Sequence, residues 1–325
     1  MKIFLAGLSE VAHTRKMGAF MKARGLTFHE LLSYIKAQQT SIWNHAMALS
    51  ESRTEFFLDS GAYTAWTKGT IIDVEVYAAF VVAHADTFAV VANLDVIPGS
   101  PGRVATPLEI EASAAQGWKN YATLRDSFKA WEDEAGRAIP FNFLHTYHQG
   151  ENVAWLERLL KHGDPYIAIS PGNDRTTDQK MYWLDGIMPL LVDDKGWPTV
   201  KFHGFGVTAL ELLQRYPWYS VDSTSWVLFS RYGIVQILIG GKLYNVTFSN
   251  QSPRAQYEGR HFTTFCKRDQ HAIRAYLEHI DFTPEELAED FVARDHANML
   301  FYLELERTWT SQPFERPRGR PRFSL

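Results

Sequence analysis

Three times in this chain an apolar run ends on an aspartate. Phe56-Phe57-Leu58-Asp59 is followed by Ser60-Gly61-Ala62-Tyr63, Val90-Val91-Ala92-Asn93-Leu94-Asp95 by Pro98-Gly99, and Trp218-Tyr219-Ser220-Val221-Asp222 by Ser223. Each reads as a buried strand that stops at a tight turn and presents its last carboxylate. A lone acid after a strand is more often a turn or helix cap than a catalyst. Three of them, gathered at one end of a parallel barrel, would make a site for charge chemistry. One carboxylate beside a glycosidic carbon can act as nucleophile while another moves a proton, the division of labour of retaining glycosyl transfer.

The elements that must position these acids alternate between strand and helix. Residues 1–8 read as the first strand, because the apolar run is too short for a signal-peptide core and Glu10 breaks it. Residues 11–24 and 29–38 have helical spacing, with Gly25 as a stop between them. Asp73 can cap a helix leading into the strand that ends at Asp95, and Thr106-Pro107-Leu108-Glu109 is a capping box with proline at the first helical position. Strands are then expected at 141–145, 166–170, 199–203 and 218–222. Helices are expected at 153–162, between Asn152 and Gly163, and at 180–191 and 209–215. A strand at 234–239 would close the ring. Roughly eight strands over ~250 residues predict an α/β fold, a (β/α)8 TIM barrel spanning 1–249. Residues 250–312, with a long helix starting at the capping box Thr283-Pro284-Glu285-Glu286 and running toward Trp309, are expected to form a C-terminal helical appendage packed on the barrel.

Composition narrows the class. The 325 residues are 46% hydrophobic and 14% aromatic, enough for a large core. A net charge of −4 means that a nucleic-acid partner must be met by a local basic surface. Such a surface lies in 313–325, a basic tail without apolar periodicity that is expected to be disordered alone. Its stretch Arg316-Pro317-Arg318-Gly319-Arg320-Pro321-Arg322 reads as an AT-hook core. The prolines extend the chain, Gly319 allows close approach to the groove floor, and Arg318 and Arg320 can enter a narrow A·T minor groove, flanked by Arg316 and Arg322. The single cysteine, Cys266, excludes an internal disulfide and fits a reducing cytoplasm, a host's in the case of a viral protein. No run approaches the ~20 apolar residues of a membrane span, so no membrane partner is expected. His145 and His148 stand three apart, on opposite faces of a strand, and are assigned ordinary polar roles. No metal site is expected.

These residues resemble the tRNA-guanine transglycosylase superfamily over roughly 56–279. Asp59-Ser60-Gly61-Ala62-Tyr63 is similar to its Asp-Ser-Gly-Gly-Tyr/Phe motif, in which the aspartate is general acid/base and the ring stacks on the base. Asp95 is similar to its base-recognising aspartate. His203-Gly204-Phe205-Gly206 resembles a shortened His-Tyr-Leu-Met-Gly-Val-Gly segment, and Val221-Asp222-Ser223 falls where the family has its nucleophile. Ala275-Tyr276-Leu277-Glu278-His279 matches a later Ala-Tyr-Leu-His-His. The family's zinc site takes three clustered cysteines and a histidine, whereas this chain has Cys266 with His261, His271 and His279, so no structural zinc is expected. Thr64 for glutamine, and Ser223-Thr224-Ser225 for the usual Pro-Thr-Arg, resemble the phage-type branch that puts 7-deazaguanines into DNA.

The resemblance implies a pentosyltransferase. Asp222 would be the nucleophile and Asp59 the proton carrier, Tyr63 would stack on the base, Asp95 would take its N1 and N2 donors, and Ser60, Gly61 and His203 would line the pocket. Amides at Gly172, Gly204 and Gly206 would meet the base's carbonyl oxygen. The partners implied are DNA and a free 7-deazaguanine, with 7-cyano-7-deazaguanine favoured, and no cofactor. A homodimer is left open. The alternatives are the same exchange on tRNA, a carbohydrate-active barrel, and a non-catalytic DNA-binding protein.

Overall fold

The computed structural model describes residues 1–11, 13–253 and 257–316. Its main sheet contains β1 (Lys2–Ala6), β2 (Phe28–Ser33), β3 (Arg53–Asp59), β4 (Val90–Ala92), β5 (Asn142–Leu144), β6 (Thr146–His148), β7 (Tyr166–Ser170), β8 (Lys201–Gly204) and β9 (Ser220–Ser223). Their order is β5-β4-β3-β2-β1-β9-β8-β7-β6. The pairings β1–β2, β2–β3, β3–β4, β4–β5, β6–β7, β7–β8 and β8–β9 are parallel. β5 and β6 are two halves of one crossing, separated only by His145. The Asn93 amide donates to Leu144 O on one side, and the Ala168 amide donates to His145 O on the other. The sheet is therefore a closed (β/α)8 barrel.

Alternation fills its interior. Phe4, Ala6, Leu31, Phe57, Val90, Ala92, Leu144, Tyr166 and Ala168 form one buried cluster, in which Phe4 and Ala6, Val90 and Ala92, and Tyr166 and Ala168 stand two residues apart on one strand. Asp59 continues the parity of Phe57, so its side chain faces the barrel axis at the C-terminal end of β3. The opposite end is stoppered by polar groups, with Lys2 hydrogen-bonded to Glu55 and His29 Nδ1 3.7 Å from Glu55 Oε2.

Two expectations about the strands are corrected. Residues 28–33 are strand β2 rather than helix, and the helical part is confined to Tyr34–Ala37. The polar member that masks the alternation is Glu30, fully buried, where it accepts from Arg53 Nη1 at 2.9 Å and from the Ser9 hydroxyl. Burial raises its pKa against the pull of Arg53. Residues 234–239 do form a strand, β10 (Ile234–Ile239), but it pairs antiparallel with β11 (Lys242–Thr247) in a separate two-stranded sheet. β2 supplies the eighth crossing instead.

The chain divides into two compact units. One comprises 1–10, 27–222 and the tail from 311, and the other 11–26 and 223–310. The second unit holds the hairpin and the helices Thr14–Ala23, Ser225–Arg231, Lys267–His279, Pro284–Glu289 and Phe291–Thr308. Val235, Ile237, Val246, Phe248, Ile273, Leu277 and Ala297 form its core. The single long helix expected from Thr283 is two, because Asp290 leaves helical geometry and its carboxylate accepts from the Val292 amide at 2.8 Å, capping a new helix. Among the described residues no helix is long and apolar enough to cross a membrane.

Candidate active site

Asp59 ends β3, and the chain turns at once into the helix Ala62–Lys68. Gly61 makes that turn possible. Its φ is +76°, and a Cβ there would lie 3.1 Å from Ile35 Cγ1. Its amide donates to Asp59 Oδ2 at 3.0 Å, while Ser60 is buried behind it. Tyr63, on the first turn, is about half exposed and lies beside Trp66, ring centroids 5.8 Å apart.

Asp95 lies three residues past β4 on a segment pinned from every side. The Tyr77 hydroxyl donates to Ala92 O at 2.8 Å, Asn120 Nδ2 to Leu94 O at 2.8 Å, and Asn93 Nδ2 to Gly117 O at 2.9 Å. Asn93 Nδ2 also lies 2.9 Å from His145 Nδ1. Burial lowers the His145 pKa to about 3, so that ring is a neutral acceptor. Asp95 Oδ2 lies 3.2 Å from His148 Nε2, and His148 Nδ1 lies 3.0 Å from Glu151 Oε1. Burial alone would lower the His148 pKa, but the Asp95 and Glu151 charges push it up to about 10. Asp95 Oδ1 is buried with no hydrogen-bond partner among the described residues.

Asp222, on β9, is almost fully buried. Its Oδ1 accepts from the Gly206 amide at 2.8 Å and lies 3.4 Å from His203 Nε2. His203 Nδ1 in turn contacts Ser220 Oγ at 2.6 Å, and Ser220 is hydrogen-bonded to the Tyr166 hydroxyl. Burial lowers the His203 pKa, with Asp222 opposing. The ring is thus a neutral neighbour of the carboxylate, with Nε2 buried and without a hydrogen-bond partner among the described residues. Gly206 needs its φ of +61° to aim that amide, and Gly204 has no room for a Cβ, which would stand 2.8 Å from both Trp218 and Val207.

The electrostatics tie the three strand ends together. Burial, with added repulsion from Asp95 and Asp222, moves Asp59 from 3.8 to about 7, against the pull of the Gly61 amide. Like charges in one site drive one member toward its protonated form. Asp222 is held by an amide and Asp95 faces His148, which leaves Asp59 to carry a proton near neutrality.

Asp59, Asp95, Asp222, His203, Tyr63, Ser60 and Gly61 thus all lie at the C-terminal ends of the barrel strands. Two expected carbonyl-binding amides are differently employed, since the Gly172 amide donates to Gln149 Oε1 at 3.0 Å and the Gly206 amide to Asp222. Gly204 is the last residue of β8, with Trp218 and Val207 packed against its Cα. Of the hook, Arg316 is exposed, while Arg318, Gly319, Arg320 and Arg322 lie outside the described residues. Cys266 is exposed and free, at the N-terminus of the helix Lys267–His279. Sequence reasoning gave His148 only an ordinary polar role and passed over Glu151, Ser220 and Tyr166. The available signal for His148 and Glu151 was their three-residue spacing across the end of a strand. No protein-family model and no curated protein matches the chain.

Proposed function

We propose that this chain is a pentosyltransferase that exchanges guanine in DNA for a 7-deazaguanine through a covalent glycosyl-aspartate. The observation that carries the reading is the split among three neighbouring acids, with Asp59 raised to about 7 while Asp222 is tethered to an amide beside a neutral histidine. A target nucleotide flips out at a cost of about a few kcal/mol, and its base stacks on Tyr63 with Asp95 accepting hydrogen bonds from its N1–H and 2-amino group. Asp222 attacks the anomeric carbon, the bond to guanine N9 breaks, and Asp59 gives its proton to the departing base. The incoming 7-deazaguanine returns a proton to Asp59 as its own N9 attacks the same carbon and releases Asp222. One glycosidic bond replaces another, so the exchange consumes neither redox equivalents nor a nucleotide. Nucleoside mass spectrometry of DNA and tRNA from expressing cells that make 7-cyano-7-deazaguanine tests it. A 7-deazaguanine deoxynucleoside is expected in DNA. Its appearance in tRNA alone would transfer the reading to tRNA, and its absence from both pools would reject base exchange.

The basic tail is proposed to add DNA affinity without taking part in turnover. Phe314 is buried, its amide donates to Gly196 O at 2.8 Å, and its ring stacks on Tyr216. Gly196 precedes β8 and Tyr216 precedes β9, so the chain leaves the barrel at the end opposite the three acids. Truncation must therefore begin after Glu315, to spare the Phe314 anchor. Removing 316–325 takes away four of the chain's arginines and should flatten the plot of log affinity against log salt by up to about 3–4 units, while leaving the rate at saturating DNA intact. An unchanged slope in a salt titration of DNA binding would reject the hook.

A further inference from the structure

The exchange as proposed gives no work to His148 and Glu151, yet their arrangement is highly specified. His148 closes β6 with Nε2 3.2 Å from Asp95 Oδ2 and Nδ1 3.0 Å from Glu151 Oε1. The second Glu151 oxygen accepts from the His148 amide at 3.3 Å. The turn that carries Glu151 is itself fixed, with the Glu151 amide donating to His148 O at 3.2 Å and the Tyr147 hydroxyl donating to Glu151 O at 3.0 Å. An imidazole with a carboxylate oxygen at each nitrogen satisfies both only when both nitrogens carry protons. The other titratable groups on this crossing are the neutral ring of His145 and the Tyr147 hydroxyl, whose pKa burial raises. The consequence falls on Asp95, which has one oxygen engaged and the other, Oδ1, buried without a partner among the described residues.

We propose that His148 is a positioning residue that acts through Asp95. As an imidazolium braced by Glu151, it holds Asp95 by Oδ2 so that Oδ1 is left as an acceptor for the base, and it leaves the mobile proton of the three-acid site on Asp59. The pocket then selects bases that offer an N1–H and a 2-amino group side by side, as guanine and 7-deazaguanines do, over hypoxanthine, which lacks the amino group. The choice of base rests on the transglycosylase reading, whereas the charge arrangement does not.

Two measurements on the full chain separate these. In long-range proton–nitrogen NMR of histidine-labelled protein, the signal that disappears in His148→Gln should still report a doubly protonated ring at about pH 8.5, two units above the ordinary imidazole value. In Glu151→Gln the same signal should lose its second proton at lower pH. In equilibrium dialysis with radiolabelled guanine and hypoxanthine, His148→Gln should weaken guanine by about 10–100-fold, the scale of a charge-assisted hydrogen bond, and hypoxanthine by less. Glu151→Gln, which keeps the shape of the site, should show the same bias in smaller measure and serves if His148→Gln fails to fold. A neutral His148 ring at about pH 7, or equal loss for both bases in both variants, overturns the proposal. If the wild type binds neither base while the ring stays doubly protonated, the transglycosylase reading falls and the charge arrangement stands.

Discussion

Asp222→Asn should abolish base exchange, by roughly 10⁴–10⁶-fold, the scale on which removal of a catalytic nucleophile acts. An amide neither attacks an anomeric carbon nor balances the positive charge that develops there. The substitution is otherwise conservative. Asparagine keeps an oxygen for the Gly206 amide, which now donates to Asp222 Oδ1 at 2.8 Å, and keeps an acceptor for the neighbouring His203. Loss of activity with an unchanged melting temperature would therefore report chemistry and not unfolding. The decisive readout is a denaturing gel of enzyme mixed with DNA and a slowly displacing base analogue. Wild type should give a covalent protein–DNA band and Asp222→Asn none. A band that persists in Asp222→Asn but vanishes in Asp59→Asn would exchange the two roles, and exchange without a band in any variant would remove the covalent mechanism.

What could be read in advance followed from how local each signal was. An aspartate that ends an apolar strand before a glycine is a local pattern, so Asp59, Asp95 and Asp222 were visible as a set, and with them the barrel that gathers strand ends. The Asn152 cap and the Thr106 capping box were equally local, and both form. β2 failed because its polarity is settled elsewhere in the chain. Glu30 looks solvent-seeking until Arg53 and Ser9 arrive from distant positions to satisfy it. β10 was legible as a strand but not by its partner, since pairing is a property of the fold and not of the run itself. The division of units has the same character. Residues 11–26 group with 223–310, a union across more than half the chain that composition cannot display. Within the site, the partner that gives His148 its role, Asp95, comes from a different strand end more than fifty residues away. The amides of Gly172 and Gly206 were assigned to a ligand because their internal acceptors, Gln149 and Asp222, come from other strand ends.

Asp59→Asn separates proton transfer from nucleophilic attack and carries its own signature in pH. With the nucleophile intact but the proton carrier gone, exchange should slow by ~10²–10⁴-fold, the usual worth of general acid/base catalysis, and some covalent adduct should remain. Wild-type kcat/KM should decline above about pH 7, where Asp59 loses the proton it must give to departing guanine. That limb should be absent from the residual activity of the variant. Stability supplies an independent check that needs no substrate. The folded carboxyl titrates near 7, raised from 3.8 chiefly by burial, so between about pH 4 and 7 the native state holds a proton that the unfolded chain has released. Stability contributed by this group is then greatest at low pH and falls as pH rises through that window. Asparagine has no proton to lose and still offers an acceptor to the Gly61 amide, which donates to Asp59 at 3.0 Å. The melting temperature of Asp59→Asn minus that of wild type should therefore grow from about pH 4.5 to about pH 7.5 and then level off. A difference that stays constant across that range in calorimetry would show that Asp59 carries no raised pKa, and the assignment of the proton carrier would go with it.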